Sequence, residues 1–254
     1  MDSRSPWRAE RPLVIAHRGA SAYSPENTLA AFRLAADQRA DAIELDAKRT
    51  LDGAVVAHHD HRLGRTVAGS GALGEYTLAQ LQALDAGSHF SPQYAGERIP
   101  TLGEILQAVA GRVLVNIELT NYHTPRDDLP ERVVSAVRAL GFEKRVLLSS
   151  FNPIALSRAR RLAPDIPAGL LVYPRESRLV RALLQRLVQH EAFHPHDEIT
   201  TRRVISQARR KGKLVFVWTV NDPQRMRDLA SWGADGLITD RPDLARKVLL
   251  IEAL

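Results

Sequence analysis

The chain has 254 residues and a mass of 28.2 kDa, enough for one large α/β domain or two small ones. It has no cysteine, which excludes disulfides, thiolate metal sites and a cysteine nucleophile. No apolar run reaches the ~18–20 residues of a membrane span, and Met1 to Pro12 lacks an apolar signal core, so the composition reads as a soluble cytoplasmic protein. The net charge of +6 is uneven: residues 1–127 hold 13 Lys and Arg against 15 Asp and Glu, and residues 128–254 hold 22 against 14.

Short apolar runs with the look of strands alternate with amphipathic helical ones. Leu13 to His17 is the first strand, and Asn27 to Arg39 a helix entered through Ser24-Pro25-Glu26-Asn27-Thr28. Ala42 to Asp46 is the second strand. Leu51-Asp52-Gly53 then reads as a hairpin turn, because Asp-Gly supplies the positive φ that tight turns need. Its return arm, Ala54 to Ala57, brings His59 back beside Asp46. A glycine-rich stretch from His61 to Pro100 follows, helical only near Thr77 to Leu84.

The rhythm then becomes regular. Helices are expected at 101–110, 130–140, 153–162, 176–188, 199–211, 222–232 and 242–250. Strands are expected at 113–119, 146–150, 168–172, 191–193, 214–220 and 236–239. Leaving out the return arm, eight strands are each followed by a helix, the count of a single (β/α)8 TIM barrel. An open doubly wound sheet fits less well, because no glycine-rich dinucleotide loop follows the first strand. Residues 1–254 read as one domain. The hairpin and the loop-rich stretch, about 47–100, form an insertion after strand two that lies over the mouth.

In such a barrel the active site lies at the C-terminal ends of the strands. Glu44 and Asp46 sit two apart and so face the same way. Strand three adds Glu118, strand one ends in His17-Arg18-Gly19, and Trp218-Thr219-Val220-Asn221 closes strand seven. Three carboxylates cannot all stay ionised in one pocket without a counter-charge. A hard divalent cation, Mg²⁺ or Ca²⁺, resolves this; two histidines would also suit a softer metal. Leaving the imidazoles free makes His17 and His59 an acid and base pair for hydrolysis. His58 should face away from His59 by strand alternation. Arg18 suits an anionic oxygen, and Trp218 is either a substrate wall or a core aromatic. Clusters such as Arg158-Ala159-Arg160-Arg161 and Arg209-Arg210-Lys211 read as solvated helix faces, with no aromatic interleaving to mark nucleic-acid binding.

These residues, in this order, resemble the glycerophosphodiester phosphodiesterases, a family of phospholipase C-like phosphodiesterase barrels. The likeness runs through Ala16-His17-Arg18-Gly19, Ser24 to Thr28, Ile43-Glu44-Leu45-Asp46, His59-Asp60, Ile99 to Leu102, Asn116-Ile117-Glu118 and Ser149-Ser150-Phe151. It ends with Trp218 to Asn221 and Gly236 to Pro242. The resemblance implies His17 and His59 as general acid and base, Glu44, Asp46 and Glu118 as metal ligands, and Arg18 as a phosphate contact. It implies hydrolysis of a small glycerophosphodiester to glycerol 3-phosphate and an alcohol such as choline or ethanolamine. Neither a nucleic-acid partner nor stable membrane insertion is expected. Thr120 departs from the family, which commonly has lysine there, so Arg18 and the metal must do more or another cation fills in. Two alternatives follow: a lysophospholipid or other lipid phosphodiesterase of the same fold, and a phosphate-binding barrel with weak catalysis. No amphipathic anchor is evident in the sequence for the first of these.

Overall fold

A computed structural model of the chain describes residues 5–251. Its strands are β1 (Leu13–Ala16), β2 (Ala42–Arg49), β3 (Val55–Ala57), β4 (Leu114–Leu119), β5 (Val146–Ser150), β6 (Ala168–Val172), β7 (Ala192–Pro195), β8 (Leu214–Val217) and β9 (Gly236–Thr239). The helices are α1 (Leu29–Asp37), α2 (Leu78–Gln82), α3 (Leu102–Ala108), α4 (Leu129–Ala139), α5 (Pro153–Leu162), α6 (Arg178–Leu187), α7 (Arg202–Arg210), α8 (Pro223–Ser231) and α9 (Pro242–Ile251). Eight strands run parallel in the order β1-β2-β4-β5-β6-β7-β8-β9, and β9 pairs back onto β1. This is a closed (β/α)8 barrel. β3 pairs antiparallel to the upper end of β2, as the arm of a hairpin rather than a barrel stave.

Side-chain alternation builds both faces of the barrel wall. Leu13, Ile15, Ala42, Leu114, Leu147, Ala192, Leu214, Phe216 and Ile238 form the inner floor, with Trp7 packed beneath against Phe216. Their alternates Ile43, Leu45, Ala47, Val115, Ile117 and Leu119 face outward into a layer with Phe32, Ile105, Val133 and other helix residues. Along β2 the inward series is therefore Ala42, Glu44, Asp46, Lys48; along β4 it is Leu114, Asn116, Glu118, Thr120. The register sets Glu44 beside Asn116 and Asp46 beside Glu118. The apolar ends of both series fill the floor and the polar ends open at the mouth.

The segment after β2 carries a small core of its own: Val56, Leu63, Val67, Leu73, Leu81, Ala86 and Ile99. The hairpin turn centres on Thr50 to Ala54, with Gly53 at φ +84°. Three boundaries differ from the sequence expectation by three residues, the others by two or fewer. β2 continues three residues past Asp46, because pairing with β3 satisfies its backbone. β8 stops at Val217, which leaves Trp218 to Asn221 in a loop. α7 begins at Arg202 rather than Ile199, because Thr201 caps it by accepting from the Val204 N–H, and Asp197–Ile199 forms a separate 3₁₀ turn.

Candidate active site

The structure brings together all seven residues picked from the sequence. His17, Arg18, Glu44, Asp46, His59, Glu118 and Trp218 line one cleft at the mouth. Oxygen atoms of Glu44, Asp46 and Glu118 lie within 4.8 Å of one another. Burial, then Asp46 and Glu118, push Glu44 well above the usual carboxylate range. Desolvation and then Asp46 push Glu118 up to about 8. Burial also works against ionisation of Asp46, but Arg18 and His59, with a hydrogen bond from Asn27, hold it at about 2. Two of the three acids thus resist ionisation, which a cation among them would relieve. The buried Oδ1 of Asn116, in the same cleft, has no hydrogen-bond partner among the described residues. An all-oxygen donor set with one unsatisfied carbonyl fits a hard divalent cation better than a soft one.

Both histidines are held by a carboxylate. His17 Nδ1 lies 2.7 Å from Asp240 Oδ1, and His59 Nδ1 lies 2.7 Å from Asp60 Oδ1. With the ring proton on Nδ1 in each, Nε2 is left to exchange protons. Burial works against the charge on Asp240, yet bonds from His17, Asn221 and Ser21 hold it at about 2. Asp60 is likewise held at about 2 against desolvation, by Arg65 and His59. His17 also borders an adjoining depression of about 600 Å³, so it stands between two spaces. His58 is buried away from the cleft, and burial lowers it to about 4.

Arg18, expected as a phosphate contact, is held by the acidic groups around it. Its backbone has φ +54°, which turns its N–H onto Glu44 Oε2 at 3.0 Å. The guanidinium pairs with Asp46 Oδ2 at 3.0 Å and with Glu26 Oε1 at 3.0 Å. Glu26 also binds Arg65, at 2.7 and 2.9 Å. The chain His59–Asp60–Arg65–Glu26–Arg18–Asp46 therefore ties the hairpin side of the site to the acidic cluster. Gly19 follows at φ +85°, with the place of a Cβ only 2.6 Å from the backbone of Ala31.

Thr120 sits above Glu118 and receives Lys48: Nζ donates to its carbonyl at 3.2 Å and to Oγ1 at 3.0 Å. Lys48 is buried and makes no ion pair with a carboxylate among the described residues. A cation thus reaches the strand-three position after all, from the neighbouring strand.

Several contributors escaped the sequence reading. Asn27, read as helix entry, takes φ +58° and donates to Asp46 Oδ2 at 2.8 Å. Asp60 and Asp240 follow strand or hairpin ends beside the histidines they hold. An aromatic wall completes the cleft: Phe151 stacks on Tyr173 at 4.1 Å, with Trp218 edge-on to both at 5.4 and 5.5 Å. Tyr122 packs edge-on to Phe151 and donates its hydroxyl to Glu118. Trp218 is a wall of the cleft whose indole N–H donates to the His194 carbonyl at 3.0 Å. Phe151 and Tyr173 are the first residues after β5 and β6, a placement that could have marked them.

The family model described as "Glycerophosphoryl diester phosphodiesterase family" matches residues 17–244. The chain belongs to that family. Membership makes it a phosphoric diester hydrolase. It is 37% identical over 235 residues to a glycerophosphodiester phosphodiesterase of Caldanaerobacter subterraneus subsp. tengcongensis, covering 92% of this chain and 96% of the relative. It is 32% identical over 255 residues to a glycerophosphodiester phosphodiesterase of Bacillus subtilis, covering 94% and 87%. A phosphodiesterase of Oleispira antarctica, solved in complex with its product sn-glycerol-3-phosphate, superposes with a TM-score of 0.84 at 31% identity, covering 94% of this chain and 96% of that one. No helix among the described residues is long and apolar enough to cross a membrane.

Proposed function

We propose that this chain hydrolyses small glycerophosphodiesters to glycerol 3-phosphate and an alcohol, with His17 and His59 moving the protons and a divalent cation at Glu44, Asp46 and Glu118. The observation that carries this is the convergence in one cleft of three carboxylates, two of them resistant to ionising alone, and two histidines whose Nδ1 each meets a carboxylate. A cation held there supplies electrostatic stabilisation of the phosphoryl oxygens. One histidine accepts a proton from the attacking oxygen and the other gives a proton to the leaving alcohol; where the attacking oxygen is the neighbouring glycerol hydroxyl rather than a water, the cyclic phosphate that forms is then opened by water to glycerol 3-phosphate, with the two histidines exchanging roles. Asp60 and Asp240 fix the tautomers and steady the imidazolium form. Arg18, engaged with Asp46 and Glu26, meets the phosphate with what remains of its guanidinium and, above all, holds Asp46 ionised. Lys48 adds positive charge from behind. The aromatic wall packs against the C–H surface of the ligand.

The test is release of glycerol 3-phosphate from several headgroup diesters by the wild type, His17→Ala and His59→Ala. Loss of turnover by at least ~10²-fold in each variant, with unchanged melting, is expected. Near-normal turnover in either would remove that histidine from the mechanism.

A further inference from the structure

The reaction makes no use of the outer face of α6. Leu179, Leu183 and Leu187 recur every four residues and point outward with Val180 beside them; they are 83%, 55%, 69% and 45% exposed. A barrel helix normally turns such a stripe onto the sheet. Here Leu184 packs partly against the core and the stripe faces water. The patch continues across a groove onto α5, where Ile154 and Leu187 meet beside Arg161. Surface apolar residues grouped in this way mark an interaction site rather than chance exposure.

The helices that carry and flank the stripe bear charge of one sign. α5, α6 and α7 hold three, three and four arginines, and none of these helices contains an aspartate or glutamate. Arg158 and Arg160 are paired with Glu131 and Glu191. Arg161, Arg186, Arg202 and Arg203 make no ion pair among the described residues. The sequence pattern hid this surface, because a leucine stripe in a barrel helix reads as core.

We propose that the α5–α6–α7 side of the barrel docks on the surface of an anionic phospholipid bilayer. Leucines entering the boundary between headgroups and acyl chains, flanked by arginines on lipid phosphates, are the pattern of a helix lying in a membrane interface. A second copy of the chain answers less well, since two such faces would set the arginines of these helices against one another, with no acid on the helices themselves to pair them. Nucleic acid would answer the arginines but leave the leucines in water. The placement also relates to the cleft. Only Pro174 to Ser177 separate Tyr173, in the aromatic wall, from the start of α6. Docking there holds the mouth beside a lipid surface.

The full-length protein is sedimented with phosphatidylcholine vesicles, with and without phosphatidylglycerol, alongside Leu183→Glu and Arg186→Ala. Melting temperature serves as the control for folding. Binding is expected only with phosphatidylglycerol, weakened about fivefold by Arg186→Ala and by at least about tenfold by Leu183→Glu, with melting unchanged. The proposal is overturned if the wild type ignores anionic vesicles, or if both variants bind as it does. It is equally overturned if light scattering shows a dimer that Leu183→Glu dissolves without any vesicle binding, or if the arginines serve duplex DNA and not vesicles.

Discussion

Asp240→Asn tests the support beneath His17 with a change of almost no volume. In the wild type, Oδ1 lies 2.7 Å from His17 Nδ1 and accepts from Ser21 at 3.0 Å, while Oδ2 accepts from the Asn221 amide at 2.5 Å. An asparagine at 240 must turn its NH₂ one way or the other. Toward Asn221, it opposes amide to amide and leaves two donors unsatisfied. Toward His17, it forces the imidazole into the tautomer with the proton on Nε2, which can no longer accept one there. Either outcome lowers kcat/KM, by about 10²–10⁴. The stability effect follows from the same contacts. Holding Asp240 at about 2, against its ordinary 3.8, corresponds to about 2 kcal/mol. Because the folded value is depressed, that stability is present at neutral pH and is lost as the pH falls from 3.8 toward about 2. Urea unfolding across that range should therefore show the gap between wild type and variant closing on acidification, alongside the kinetic loss at neutral pH. A variant with wild-type kcat/KM, or a stability gap that ignores pH, would refute the coupling.

Three further outcomes are expected. Lys48→Met should lower kcat/KM about tenfold to a hundredfold, while Lys48→Arg keeps most of it and the exchange Lys48→Thr with Thr120→Lys restores it; steady-state kinetics on one diester decides this. Glu44→Gln should raise the cation concentration needed for half-maximal rate with little change in melting temperature in chelator, as read by metal titration and thermal unfolding. Gly19→Ala should cost at least about 1 kcal/mol in urea unfolding, since it combines a positive φ with a Cβ 2.6 Å from Ala31.

Much of the architecture was legible because it obeys periods. The alternation of Ile43, Leu45 and Ala47 with Glu44 and Asp46 separates the outer layer from the inner one, and eight βα repeats leave a closed barrel as the economical arrangement. The three carboxylates and two histidines were legible because strand ends in such a barrel share one mouth. What stayed hidden depends on contacts with no period. Asp240 reaches His17 across 223 positions, and Asn27 reaches Asp46 across 19. Arg18 reads as a phosphate contact, and nothing in the sequence marks its pairing with Glu26 and Asp46. Lys48, beyond the expected end of strand two, is tied to Thr120 only by the register of β2 against β4. The stripe of α6 fits a buried helix by periodicity, and only its orientation shows that it faces outward.

The central claim is that Glu44, Asp46 and Glu118 hold a divalent cation on which glycerophosphodiester hydrolysis depends. Release of glycerol 3-phosphate from glycerophosphocholine, followed by a coupled assay after exhaustive chelation and then with Mg²⁺ or Ca²⁺ restored, tests it most directly. The rate should fall to background in chelator and return with one of the two ions, and Glu44→Gln should shift that return to higher concentration. An undiminished wild-type rate in excess chelator would contradict it.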